Sequence, residues 1–245
     1  MRLVVITCAV LEDEIGALLE PNGPTLQVVQ LPQGLHDKPP RLRTELQETI
    51  EAVETEYHPD AIALGYGLCS RGIEGVHAQA ARIVVVRAHD CITLLLGGRE
   101  RYAEYVAAHP GTYWYSPGWN KNHLPPGPER YAHLRNHYID QYGEDNADFL
   151  MESEQSWFKT YDRATFVHLG AGEVRKERAN TKACAKWLGW GYDQVTGDPA
   201  LLRDLINGRW DGDRFLVLEP GQTLRMTADD RIIEAIPFVA NESCE

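Results

Sequence analysis

The sequence predicts an α/β protein: an open, mainly parallel, Rossmann-like sheet with flanking helices. Two observations carry the prediction. Short, nearly continuous apolar runs rich in Val and Ile recur along the first half of the chain, as strands buried on both faces require. Between the second and third of these runs lies a stretch with apolar residues at three-to-four spacing, the pattern of a crossover helix.

Arg2 to Val10 (RLVVITCAV) reads as the first buried strand, with Cys8 near its carboxyl end and an acidic helix start at Glu12 to Glu14 behind it. Leu26 to Leu31 (LQVVQL) is a second strand, followed by a Pro- and Gly-rich turn through His36. Arg41 to Tyr57 puts Leu42, Leu46, Ile50 and Val53 on one helical face and completes a βαβ crossover. Asp60 to Leu68 is a third strand that ends in a Gly-Tyr-Gly-Leu-Cys-Ser-Arg-Gly loop, and Arg82 to Arg87 a fourth that ends at Ala88-His89-Asp90-Cys91.

Gly111 to Ser116 predicts a further strand, leading into Pro117-Gly118-Trp119-Asn120. Glu129 to Tyr161 has helical proportions with a break at Gly143 and Glu144, and predicts a helical hairpin covering the site. A strand over Thr165 to Gly170, a helix up to Leu188, a helix over Pro199 to Asn207, a late strand over Arg214 to Leu218 and a hairpin over Leu224 to Phe238 follow. The expected organisation is one α/β domain over residues 1–245 with a helical insertion at 120–164.

Hydrophobic residues form 43% and charged residues 24% of the chain, the proportions of a globular protein rather than a disordered or fibrous one. The formal net charge of -12 and the lack of a basic cluster argue against nucleic acid as a partner. The longest apolar stretches, such as Ile92 to Gly97, fall far short of the roughly 20 residues that span a bilayer, so no membrane partner is expected. Glu12, Asp13 and Glu14 stand where a signal peptide would place its small-residue cleavage site. Five cysteines without regular spacing do not read as a disulfide framework, and a cytoplasmic location is expected.

The most informative feature is that Cys8, Cys69 and Cys91 fall at or just past the ends of three predicted strands. In open parallel sheets, ligands bind in the crevice beyond the carboxyl ends of the strands. Thiolates are preferred ligands of zinc and of iron-sulfur clusters, and three of them leave a fourth position open for substrate. A structural zinc site shows paired cysteines about two to four residues apart, a pattern this sequence lacks. The competing view makes these cysteines small buried hydrophobes and the protein a non-catalytic ligand-binding module. Cys184, in a predicted helix, and Cys244, in the tail, read as structural or incidental.

The expected function is a metal-dependent enzyme in which Cys8, Cys69 and Cys91 bind a 4Fe-4S cluster whose open iron activates a small anionic or sulfur-containing substrate. The placement is similar to that in quinolinate synthase, the reductase that closes the isoprenoid pathway, and the thiouracil desulfidases. The alternative places zinc on the same thiolates, with His89 as a further ligand, for methyl or alkyl transfer. Arg71 and Arg87 are candidates to bind a substrate carboxylate, and His89 to move protons. Gly65, Gly67 and Gly72 permit close backbone approach but lack dinucleotide-loop spacing, so no NAD or FAD is predicted. His36, Tyr66 and Trp119 are candidates to line the same crevice. Aromatic density over Tyr102 to Trp119 points to a homo-oligomer interface.

The first strand ending in cysteine, together with LPQGLHDKPP, LGYGLCSRGI, RAHDCITLLLG, PGTYWYSPGW and GYDQVTGDPALLRDLINGRW, resembles the family catalogued as domain of unknown function 1638. That family is similar to proteins of anaerobic archaea and bacteria discussed alongside corrinoid methyl transfer. The resemblance implies a corrinoid protein or redox partner and keeps the methyl-transfer alternative open.

Overall fold

The computed structural model describes residues 1–239, so Cys244 lies outside the described residues. The chain separates into two compact units, Met1–Arg99 with Asp198 onward, and Glu100–Gly197.

The first unit is built on β1 (Leu3–Cys8), β2 (Thr25–Leu31), β3 (Ala61–Gly65), β4 (Arg82–Val86) and β8 (Phe215–Leu218), in the spatial order β2-β1-β3-β4-β8. The first four are parallel, and β8 joins β4 antiparallel. Helices flank both faces. On one face, α2 (Pro39–Tyr57) sets Leu42, Leu46, Ile50 and Val53 against Val4, Ile6, Ile62, Leu64, Ile83 and Val85. On the other, α9 (Ala200–Ile206) packs on β3, β4, α1 (Glu12–Leu18) and α3 (Cys91–Leu96). Burial on both faces accounts for the continuous Val and Ile runs, because neither side of the central strands meets water. The predicted terminal hairpin forms as β9 (Gln222–Met226) and β10 (Ile233–Pro237), whose Leu224, Ile232 and Ile233 join the α2-side core.

The second unit holds its own parallel sheet, β5 (Thr112–Tyr115), β6 (Arg163–His168) and β7 (Gly191–Thr196), in sequence order. The sequence predicts one sheet; backbone pairing distributes the strands between two and the hairpin. The segment from α5 (Pro117–Asn122) through α6 (Pro128–Tyr142) and α7 (Glu144–Glu154) is the crossover from β5 to β6, and α8 (Val174–Leu188) the crossover to β7. Arg130 pairs with Glu154 and Arg135 with Asp148, joining α6 to α7. Tyr115, Ala164, Phe166, Cys184 and Ala185 form the core, and α4 (Arg99–Ala108) lays Tyr105 beside Trp114 at 4.8 Å between ring centroids. No described helix is long and apolar enough to cross a membrane.

Candidate metal centre

Cys8 ends β1, Cys69 follows β3 and Cys91 opens the helix that follows β4. Because β1, β3 and β4 are adjacent and parallel, all three cysteines lie at one carboxyl edge. The order β2-β1-β3-β4 reverses between β1 and β3, so this edge includes the switch point at which open α/β sheets bind ligands.

Three close approaches bring the loops together. Gly67 lies so near the Cys91 loop that a Cβ there would meet Asp90 N at 2.5 Å, Asp90 Cα at 2.7 Å and Asp90 C at 2.8 Å. Two backbone hydrogen bonds continue this seam, Leu68 N to Ala88 O at 2.8 Å and Cys69 N to His89 O at 3.0 Å. Gly65 is equally constrained against β1, with a Cβ falling 2.4 Å from Thr7 Oγ1, and Gly72 against α2, with a Cβ falling 2.6 Å from Leu42 Cδ2. The third loop is anchored by Asp90, whose Oδ1 accepts from Thr93 N at 3.1 Å and caps α3.

Between Gly67 and Gly72 the chain takes an unusual path. Cys69, Ser70 and Arg71 have φ of +47, +54 and +68, three successive left-handed residues of which none is glycine. Each such residue costs roughly 1–2 kcal/mol through its Cβ. The turn closes with Gly72 N donating to Cys69 O at 2.9 Å.

The three thiols are half-buried and reduced. Burial raises the Cys8 pKa, pushes that of Cys69 up to about 12 and raises that of Cys91 well above the ordinary value. The negative charge of Cys8 adds to the rise at Cys69, and those of Asp90, Cys69 and Cys8 to the rise at Cys91, so the three sulfurs lie within electrostatic reach of one another. A backbone N–H works in the opposite direction at each: Val10 for Cys8, Gly67 for Cys69 and Cys91's own for Cys91. Tyr66, buried between β3 and Cys69, feels the charges of Cys8, Cys69 and Glu45.

Among the described residues, no group of three or more His, Cys, Asp or Glu side chains stands as a ready cage for one metal ion. Tetrahedral zinc with bonds of about 2.3 Å needs its sulfurs roughly 3.8 Å apart. A cluster takes each thiolate on a different iron and accepts wider spacing. The donor set itself, three soft sulfurs with backbone N–H donors beside them, fits an iron-sulfur group.

The other candidates stand as follows. His89 is exposed in the β4–α3 loop, next to Asp90. His36 lies just past β2, one strand over from Cys8; its Nδ1 is 2.8 Å from Gln33 O and its Nε2 3.1 Å from Asp37 Oδ1. Arg71 is exposed and pairs with Glu74 at 2.7 Å. Arg87 donates to the carbonyls of Gly212, Arg231 and Ile233, so it ties β4 to the segments around β8 and β10. Trp119 belongs to the second unit, where its backbone N donates to Ser116 Oγ at 3.0 Å and its ring lies 4.4 Å from that of His123. Cys184 packs in the core of that unit, against Gly127, where a Cβ would fall 2.5 Å from its Sγ. Asp90 and the left-handed turn escape sequence reasoning: the cap that Asp90 makes on α3 is seen only in the structure, and nothing in Cys-Ser-Arg announces positive φ. Glu14, fully buried on α1, was read only as a helix start.

Fold and site together define a Rossmann-like α/β protein with three free thiols at the carboxyl edge that includes its switch point. The chain belongs to the DUF1638 family, whose model, described as a protein of unknown function, matches residues 30–206. That match spans Cys69 and Cys91, while β1 and Cys8 precede it. No curated protein and no solved structure matches the chain.

Proposed function

We propose that this protein is an enzyme in which Cys8, Cys69 and Cys91 hold a 4Fe-4S cluster that leaves one iron open to a small, sulfur-containing substrate. The observation that carries the reading is the placement of three mutually interacting thiols at the carboxyl edge of three adjacent parallel strands. When bound, the cluster supplies a Lewis-acidic iron with an open coordination position.

The chain's own residues do the rest. The seam between Gly67 and Asp90 sets the separation of Cys69 and Cys91, and the packing of Gly65 on Thr7 sets both against Cys8. Val10, Gly67 and Cys91 N–H groups stabilise negative charge on sulfur. His89, exposed beside this edge, carries protons to and from substrate. With Arg71 paired to Glu74 and Arg87 bound to three carbonyls, affinity of soft sulfur for iron, rather than ion pairing, selects the substrate.

The test is iron and acid-labile sulfide content of protein purified and reconstituted without oxygen, for the wild type and for Cys8→Ser, Cys69→Ser, Cys91→Ser and Cys184→Ser. About four irons with sulfide are expected in the wild type and in Cys184→Ser, and loss in the other three. About one zinc without sulfide would replace the cluster by the thiolate-zinc transfer chemistry. No metal at all, or full metal content in any of the three strand-end variants, overturns the reading.

A further inference from the structure

The Tyr66 side chain is only 2% exposed, and its hydroxyl has no hydrogen-bond partner among the described residues. Buried hydroxyls are almost always satisfied, so an orphan calls for a partner that arrives later. The oxygen lies away from the solvent-accessible surface. Cys8 and Cys69 pack against the core cluster that contains the Tyr66 ring, and together with Glu45 they are the charged or chargeable groups it feels; Glu45 is held by Arg41 at 2.6 Å. A neutral thiol is a weak acceptor, whereas a metal-bound thiolate or an inorganic sulfide carries negative charge and accepts well.

We propose that Tyr66 is a positioning residue whose hydroxyl donates a hydrogen bond to a sulfur of the loaded centre, either the Cys8 or Cys69 thiolate or a sulfide beside them. The inference rests on the cluster reading above and deepens it. The phenol stays protonated and neutral throughout; no proton is transferred and no electron moves to or from the ring. A hydrogen bond to sulfur draws electron density from the cluster, which raises its reduction potential and slows its loss. Tyr66 also holds its own ring in the core beside Leu64 and Leu68, and Phe preserves that packing.

The experiment compares wild type and Tyr66→Phe as full chains, each metal-free and reconstituted with iron and sulfide without oxygen. Thermal unfolding, iron and sulfide content, and the midpoint potential from a redox titration are measured. Metal-free Tyr66→Phe is expected to unfold at the wild-type temperature or above it, because an unsatisfied buried hydroxyl has gone. On loading it gains less thermal stability than the wild type, and its midpoint potential shifts negative. This change of sign between the two states is what a merely structural tyrosine does not produce. Equal gain on loading with an unchanged potential overturns the role of Tyr66 and leaves the cluster reading standing. A wild type that takes up neither iron nor sulfide overturns both.

Discussion

Replacing Gly67 by Ala isolates the seam that holds Cys69 beside Cys91. The added Cβ would lie 2.5, 2.7 and 2.8 Å from three backbone atoms of Asp90, all inside normal contact distance. Backbone has no rotamer by which to move aside, and Asp90 is fixed as the cap of α3. Overpacking costs about 1–3 kcal/mol, and a clash with three main-chain atoms belongs at the upper end, about 3 kcal/mol. At about 2–4 °C per kcal/mol for chains of this size, melting should fall by roughly 6–12 °C. The loops relieve the clash by separating, so iron content after reconstitution should fall along with melting temperature. Gly34→Ala is the control, since nothing lies within 4 Å of its Cβ and its melting should stay at or slightly above wild type. The assay is thermal unfolding by circular dichroism with iron determination on the same samples. A Gly67→Ala protein that melts and loads like the wild type would show that the seam does not set the site.

Ser70 is exposed with φ +54, so Ser70→Gly removes the left-handed cost while adding the entropy of a glycine to the unfolded chain; the balance should be a gain of about 0.5–1 kcal/mol in denaturant unfolding, and a loss refutes the strain argument. The thiols make the metal-free protein pH-sensitive: their folded pKa values lie above the ordinary 9.0, with Cys69 at about 12. The unfolded chain therefore gives up protons first, so the stabilisation is full below pH 9 and is lost as pH rises from 9 towards 12, which melting curves of the metal-free protein across that range should show. Loading has the opposite dependence below that range, because thiols must release protons to bind, and metal affinity should rise with pH. Arg87→Met strands carbonyls of Gly212, Arg231 and Ile233 and should cost about 1–3 kcal/mol in denaturant unfolding while leaving iron content intact.

The strands of the first sheet were legible because burial on both faces forces runs such as Leu3–Cys8 and Arg82–Val86 to be apolar and β-branched. The positions of the three cysteines followed from those strand ends. β7 (GYDQVT) escaped because it is largely exposed and polar, with neither a continuous apolar run nor a clear alternation. The antiparallel direction of β8 was also hidden, since RFLVL reads the same in either orientation. Arg87 shows the other limit. At a strand end it reads as a candidate to bind substrate or to neutralise local charge, and the carbonyls it meets lie more than a hundred residues away in sequence, where local pattern carries no information.

Several departures from the rules of stable folding coincide at one edge of the first sheet, while His58 and Ile232 take left-handed backbone elsewhere. Three non-glycine residues in left-handed backbone, three thiols raised by burial and by one another, and a buried phenol without a hydrogen-bond partner all gather at the same carboxyl edge. Cysteines serving only as small hydrophobes explain none of these: alanine or valine fills such space without a titratable proton, and glycine makes the turn without strain. Strain at one location persists when something there requires it, and the inference properly runs from such outliers to function. A group that takes thiolates in place of thiols removes the penalty on their ionisation and supplies an acceptor for Tyr66, so two of the three costs vanish on the same binding event. The third, the left-handed turn, fixes the backbone of Cys69 itself.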